Sequence, residues 1–274
     1  MTQSSFPFDG AVALVTGAAS GIGQALVAAL QAQGVKVAGA DLSAPAGPDL
    51  ALALDIRSRS DWAAAADRVG ETFGGADLLF NVAGICASPQ PIHEVELETF
   101  QRVLDTNLVG MFHGTQVFVN QLRRTGRSAH IVNICSVCGL FSTPGYAAYA
   151  ASKTATVSLS ETARSDLAPL GIGVTAVCPG YVNTAIASSG QDSTSENRRR
   201  VAEIMANSMQ PEEVARRIIE AVSRNLPYLL THPEYDRVIA ARAAMLDAAL
   251  VTARELDAGG HPIDDVTRLG GSWL

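Results

Sequence analysis

Tyr149 and Lys153 stand four residues apart in the stretch Tyr149-Ala-Ala-Ser-Lys153. On a helix this spacing puts both side chains on one face, one turn apart. A phenol is neutral near pH 7 and a poor base. A nearby ammonium favours the phenolate and lowers the phenol pKa. The pair therefore reads as a proton-transfer unit. Tyr-x-x-x-Lys also arises by chance on solvated helix faces, so its weight rests on what precedes it. Ser136 lies thirteen residues upstream of Tyr149, at the end of an apolar strand.

A second chemistry-bearing stretch is Gly17-Ala-Ala-Ser20-Gly21-Ile22-Gly23, directly after the first apolar run. A strand–loop–helix junction offers free backbone N–H groups and the positive end of a helix dipole. Phosphate approaches closely only where side chains are missing, and Gly17, Gly21 and Gly23 supply that. The spacing is GxxxGxG rather than GxGxxG, so the common dinucleotide fingerprint is not met literally. Asp41 closes the second apolar run about twenty residues on, where an acid can bind the adenosine ribose hydroxyls. It would repel a ribose phosphate, and no arginine or lysine stands at Ser20 or Leu42 to attract one. NAD is expected over NADP. The alternative for Asp41 is a turn cap.

These residues must be positioned by a fold. Short apolar runs at Ala11–Thr16, Val35–Ala40, Leu50–Asp55, Asp77–Asn81, His130–Ile134 and Gly173–Cys178 read as strands buried on both faces. Helical stretches alternate with them over Gln24–Gln33, Ser58 or Ser60 to Phe73, Leu97–Arg124 (open to a break near Asn107) and Tyr146–Leu170. Glu212–Arg224 reads as helix, Leu226–Thr231 as a last strand and Glu234–Leu256 as a further helix. Pro227 suits an edge strand. Alternation predicts an α/β Rossmann-type, doubly wound parallel sheet of about seven strands with helices on both faces. One domain over 1–274 is expected. Its cofactor half covers roughly 10–130 and its catalytic and substrate half roughly 131–274, with a mobile segment near 184–209. Gly259–Leu274 is a Gly/Pro-containing tail.

The chain has 274 residues, 47% hydrophobic and 17% charged, with net charge -7. That is globular, long enough for a sizeable core, and argues against nucleic-acid and anionic-membrane partners. The N-terminus lacks the basic start and apolar stretch of a signal peptide. No uncharged apolar run reaches membrane-spanning length, so the cytoplasm is the expected location. Cys135 and Cys138 have CxxC spacing, but they leave a strand, and Cys86 and Cys178 are isolated. Small residues filling strand ends is the reading, rather than zinc or redox work. His93, His113, His130, His232 and His261 show no metal-ligand spacing, so no metal is expected.

Thr16-Gly17-Ala18-Ala19-Ser20-Gly21-Ile22-Gly23, Asn81-Val82-Ala83-Gly84, Asn107-Leu108-Val109-Gly110, Ser136, Tyr149-x-x-x-Lys153 and Pro179-Gly180-Tyr181-Val182-Asn183-Thr184 occur in this order. In them the chain resembles the short-chain dehydrogenase/reductase family, in its standard-length branch, over roughly Gly10 to Leu230. The resemblance implies that Tyr149 is the general acid/base and that Lys153 lowers its pKa and holds the nicotinamide ribose. It implies that Ser136 steadies the substrate oxygen and that Asn107 holds a water of a proton relay. Gly17, Ser20, Gly21, Ile22, Gly23 and Asp41 would bind the NAD diphosphate and ribose, Asp55 and Ile56 the adenine. Asn81, Ala83 and Gly84 would line the cofactor channel, and Pro179, Val182 and Thr184 the carboxamide side. Family members often carry Asn-Asn-Ala-Gly and Ser-Ser where this chain has Asn81-Val82-Ala83-Gly84 and Cys135-Ser136; the two positions that matter, Asn81 and Ser136, are intact.

The expected activity is NAD-dependent interconversion of a hydrophobic, aryl or cyclic secondary alcohol and its ketone. Cys138, Leu140, Phe141, Tyr146 and Tyr181 would wall the pocket. The segment from Pro227 to Tyr235 looks more distantly like members that oxidise bulky aryl alcohols. One rival is a carrier-protein 3-ketoacyl reductase, which would prefer NADP and use Arg198–Arg200. The other is a non-catalytic NAD-binding interaction protein, which would show a damaged Ser/Tyr/Lys set. The helices around Leu97–Arg124 and Tyr146–Leu170 resemble those through which family members form dimers and tetramers, so a homo-oligomer is expected.

Overall fold

The computed structural model describes residues 6–125, 128–188, 203–204 and 206–256. Seven parallel strands form one sheet: β1 (Val12–Thr16), β2 (Lys36–Asp41), β3 (Leu50–Ala53), β4 (Leu78–Asn81), β5 (Ala129–Ile134), β6 (Ile172–Cys178) and β7 (Tyr228–Leu230). Their order across the sheet is β3-β2-β1-β4-β5-β6-β7. The helices are α1 (Gly21–Gln31), α2 (Arg59–Phe73), α3 (Leu97–Leu104), α4 (Gly110–Thr125), α5 (Ala147–Leu167), α6 (Pro211–Ser223) and α7 (Asp236–Leu256).

Both faces of the sheet are apolar because successive strand residues point to opposite sides. Ala13 and Val15 face one way and pack with Leu26 and Leu30 of α1 and Val214, Ile218 and Val222 of α6. Val12 and Leu14 face the other way and pack with Trp62 of α2, Phe118 of α4 and Leu167 of α5. Asp77 reaches back from the foot of β4, where its carboxylate accepts the Val12 N–H at 2.9 Å and ties the first strand pair together.

Sequence and structure differ mainly at element ends. Strand β3 stops at Ala53, so Asp55 belongs to the turn before α2. Ser58 is the cap of α2, accepting the Asp61 N–H at 3.2 Å. The break near Asn107 is a π-helical turn, Asp105–Val109, between α3 and α4. Helix α5 ends at Leu167 and tightens into a 3-10 turn over Ala168–Leu170, where Pro169 lacks the N–H that would continue it. Strand β7 is the short edge strand expected beside Pro227. Helix α7 carries no buried residue. Among the described residues no helix is long and apolar enough to cross a membrane. Arg198–Arg200, most of the 184–209 segment and the Gly259–Leu274 tail lie outside the described residues.

His130 in β5 is buried, with Nε2 2.8 Å from the Thr175 hydroxyl. Burial, helped by the nearby Arg164 guanidinium, pushes its imidazole from 6.5 down to about 3. An unfolded chain then takes up a proton that the folded chain refuses. The stabilisation is complete above pH 6.5 and is lost as pH falls toward 3, by at most about 1.4 kcal/mol per pH unit. Urea midpoints at pH 7 and pH 5 check this. The wild type loses stability over that interval, and His130→Gln loses less.

Candidate active site

The strand order sets where a site can form. The chain runs outward through β1, β2 and β3, then restarts with β4 on the other side of β1. Connections leave β1 and β4 in opposite directions, which opens a crevice at their C-terminal ends. The glycine loop leaves β1 and Asn81-Val82-Ala83-Gly84 leaves β4, so both loops line that crevice.

The glycines there are required by packing. A Cβ on Gly23 would lie 2.1 Å from the Gly17 carbonyl oxygen, and one on Gly17 would lie 3.0 Å from the Ala83 backbone. Gly17 and Gly21 also have φ of 67° and 53°, which side chains rarely adopt. Ser20 precedes α1 in an extended conformation and makes no side-chain cap, so its hydroxyl leaves the first-turn N–H groups of α1 to an incoming anion. Ile22 packs against the core below. Thr184 lies across from Gly21, with its methyl 2.9 Å from where a Cβ would stand. It therefore sits at the glycine-loop end of the crevice.

Asp41 ends β2 beside this loop. One carboxylate oxygen accepts the Ala19 N–H at 3.1 Å and the other the Leu42 N–H at 2.8 Å. The acid is thus both a turn cap and a fixed negative charge next to the glycines. The Asp55 carboxylate is taken by the Arg57 side chain at 2.6 Å, which holds it below the usual carboxylate range. Ile56 is buried against Gly110, and its carbonyl accepts the Trp62 indole N–H. Asn81 is buried and donates to the Asn133 side chain at 2.9 Å. The Thr16 hydroxyl accepts the N–H groups of Val82 and Ala83 at 2.9 and 3.2 Å, which fixes the β4 loop to the end of β1. This tie was not foreseen for Thr16, although its place in the first motif was visible. Val182 has its side chain in the core, and its backbone pairs with Met209, so backbone is what it can offer a ligand. The uncapped helix, the side-chain-free cradle and the acid beyond it fit a dinucleotide.

The catalytic candidates converge from three elements. Ser136 follows β5 and caps a 3-10 turn, its Oγ accepting the Cys138 N–H at 3.1 Å. It donates toward the Pro179 carbonyl at 3.5 Å and lies beside the Tyr149 hydroxyl, where it favours the phenolate. Tyr149 lies in the first turn of α5, and Lys153 follows one turn later. The Lys153 ammonium is 5.6 Å from the Tyr149 ring centroid and donates to the Ile134 carbonyl at 2.8 Å. Gly84 leaves room for Asn107 and for this ammonium. Asn107 is buried in the π turn; its side-chain oxygen accepts the Ile85 N–H at 2.8 Å, and its amide donates to the Ile85 carbonyl and the Ser152 hydroxyl. Ser152 in turn donates to the Tyr149 carbonyl at 2.7 Å. Ser152 was missed because it looks like any small helix residue between the two catalytic ones.

The proton affinities differ from the expectation. Burial pushes the Tyr149 phenol above its ordinary value, Cys86 adds to the rise, and the Ser136 hydroxyl opposes it. Burial also lowers Lys153. Desolvation of both charged forms outweighs the help an ammonium gives a phenolate. Burial likewise raises the Cys86 thiol, to about 11. None of the four cysteines is in a disulfide; Cys135 and Cys178 are buried, and Cys138 lies 3.6 Å from the Thr143 hydroxyl.

Residues 11–195 match the family model for short chain dehydrogenases. A C alpha-dehydrogenase of Sphingobium sp. (strain NBRC 103272 / SYK-6) is 31% identical over 251 residues, 83% of this chain and 82% of that protein. A 3-alpha-(or 20-beta)-hydroxysteroid dehydrogenase of Mycobacterium bovis is 36% identical over 184 residues, 64% of this chain and 70% of its own length. Among solved structures, a short chain dehydrogenase/reductase from Burkholderia phymatum in complex with NAD superposes with a TM-score of 0.82 at 30% identity, covering 89% of this chain and 96% of its own. With the ordered motifs and the converging Ser136, Tyr149 and Lys153, these likenesses make the chain a member of the short-chain dehydrogenase/reductase family of oxidoreductases.

Proposed function

We propose that this oxidoreductase uses NAD to interconvert a hydrophobic secondary alcohol, aryl or cyclic, and its ketone. The observation that carries the reading is the convergence of Ser136, Tyr149 and Lys153 at one point, with the Lys153 ammonium 5.6 Å from the Tyr149 ring centroid. When bound, the nicotinamide would supply the hydride acceptor or donor. The chain's own residues do the rest. Gly17, Ser20, Gly21, Ile22 and Gly23 would hold the diphosphate, with Asp41 on the adenosine ribose and Asp55 and Ile56 beside the adenine. Asn81, Ala83 and Gly84 would line the channel, and Pro179, Val182 and Thr184 the nicotinamide end. Ser136 would donate to the substrate oxygen and hold it against Tyr149. Tyr149 exchanges the hydroxyl proton with that oxygen, and a water held at Asn107 would link Lys153 to solvent as a proton relay.

The substrate class rests on the walls. Tyr181 and Tyr235 line a cavity of about 870 Å³ together with Ile204 and Met209 and with polar side chains that include Glu203 and Glu234, and Phe141 stacks on Tyr235. The names of the Sphingobium and mycobacterial relatives, a C alpha-dehydrogenase and a hydroxysteroid dehydrogenase, support bulky secondary alcohols. Leu97 of α3 and Phe112 of α4 stay exposed, which supports a homo-oligomer.

The test is NADH formation, by absorbance, from NAD and a panel of aliphatic, cyclic, aryl and steroid secondary alcohols, with NADP in parallel. Turnover with NAD on aryl or cyclic members is expected. Turnover with NADP alone would overturn the role given to Asp41. Asp41→Ala should narrow the preference for NAD by about tenfold, the effect of one charge contact worth about 1.4 kcal/mol.

A further inference from the structure

The segment after β7 carries chemistry that the reaction described above does not use. His232 is buried, two residues beyond the end of β7, and β7 pairs with β6 so that Leu230 lies beside Cys178. That register brings His232 against Pro179, Gly180 and Tyr181, the turn that leaves β6. His232 Nδ1 is 3.0 Å from the Gly180 nitrogen and 2.6 Å from the Thr231 hydroxyl. Its Nε2 is 2.9 Å from the Tyr181 carbonyl oxygen. A backbone N–H only donates and a carbonyl only accepts, so Nδ1 is the acceptor and Nε2 carries the hydrogen. The Thr231 hydroxyl then also donates to Nδ1. Three protein groups fix the orientation of the ring, with Nδ1 accepting and Nε2 donating.

The turn it grips feeds into the catalytic cluster. The Pro179 carbonyl accepts the Val137 N–H at 3.0 Å and lies 3.5 Å from the Ser136 hydroxyl. Tyr181 and His232 both line the cavity of about 870 Å³. The grip is itself anchored: the Thr231 carbonyl accepts from Arg217 of α6 at 2.6 Å, and Arg217 pairs with Glu213. Gly180 leaves no room for a side chain. A Cβ there would lie 2.6 Å from the Tyr235 ring and 2.9 Å from the His232 ring. Tyr235 stacks on Phe141, beyond Ser136, with centroids 5.8 Å apart. The segment from Thr231 to Tyr235 thus clamps the turn after β6 and the loop after β5 together.

We propose that His232 is a positioning residue for the reaction: by fixing the Pro179–Tyr181 turn it places the Pro179 carbonyl, and through it the Ser136 hydroxyl, opposite Tyr149. This rests on the dehydrogenase reading. Misplacing a catalytic group by about 1 Å costs on the order of a hundredfold in rate.

Two variants separate hydrogen bonding from bulk. His232→Phe keeps a ring against Gly180 and Tyr235 but has no nitrogen. His232→Asn loses the ring but keeps an acceptor near the place of Nδ1. The full chain is compared for turnover of 1-phenylethanol or the best alcohol of the panel, for NADH affinity by fluorescence, and for amide hydrogen exchange over Cys178–Thr184. The expected result for His232→Phe is turnover down about ten- to a hundredfold, NADH affinity within about threefold and Gly180 exchange faster by about tenfold or more. His232→Asn should recover most of both losses. The proposal is overturned if the Phe variant stays within twofold of wild type in either turnover or exchange, or if it outperforms the Asn variant. If the wild type itself turns over no alcohol with NAD or NADP, the dehydrogenase reading fails, and the exchange comparison still decides whether His232 fixes the turn.

Discussion

Tyr149→Phe lowers turnover by about a hundred- to ten-thousandfold, the range that one general acid/base contributes, while NADH affinity stays nearly intact. The substitution removes one hydroxyl and leaves the ring beside Lys153. The hydroxyl is the group beside Ser136, where a substrate oxygen would exchange its proton. The raised phenol pKa adds a pH signature. Above its ordinary value, the phenol stays protonated at neutral pH, ready to donate during ketone reduction. Alcohol oxidation needs the phenolate, whose population rises with pH. Oxidation by the wild type should therefore climb between pH 7 and pH 10, and reduction should not. The phenylalanine variant should lack that climb. Substantial turnover by the variant, measured as NADH formation or loss, would remove Tyr149 from the acid/base role.

Lys153→Met separates stability from activity. The ammonium is only 2% exposed, and burial already depresses its pKa. A methionine has a similar length and carries no charge, so the desolvation cost of a buried ammonium, several kcal/mol, disappears and offsets the roughly 1–3 kcal/mol cost of taking the donor from the Ile134 carbonyl. A melting temperature equal to wild type or a few degrees higher is expected, since about 1 kcal/mol shifts a domain of this size by roughly 2–4 °C. Turnover should fall at least about a hundredfold, because Tyr149 loses the cation that steadies its phenolate. Thermal melting and NADH formation on one preparation check both signs. A large drop in melting temperature would mean that the ammonium chiefly holds the Ile134 carbonyl and the fold around it.

Much of this could be read from residue order, and the remainder could not for definite reasons. The strands were legible because they are short apolar runs buried on both faces, and Gly17 to Gly23 because close packing there tolerates nothing larger. Ser136, Tyr149 and Lys153 were legible as types at spacings. Their proton affinities were not: a sequence shows the lysine near the tyrosine but not the burial of both. Asp41 was given a ligand role and a cap role as alternatives, and the structure shows the cap bonds while leaving the charge beside the glycines. Ser152 and Thr16 act through bonds to groups distant in sequence, and His232 reaches Gly180 across fifty-two residues. No local pattern announces such a partner.

The π turn at Asp105–Val109 has a consequence for how this chain can change in length. It places one extra residue in a helical turn, and that residue brings the Asn107 side chain round to Ser152 and Ile85. Both flanks are pinned. Upstream, α3 packs on α5. Downstream, Gly114 of α4 lies so close to Trp62 and Asn81 that a Cβ would sit 2.6 Å from the Trp62 ring. Deleting one residue between 105 and 109 would restore a regular helix with both flanks nearly in register, because the wider π turn already absorbs the extra residue. One residue can thus be lost here with both flanks in place, and what goes with it is the Asn107 contact to Ile85 and Ser152.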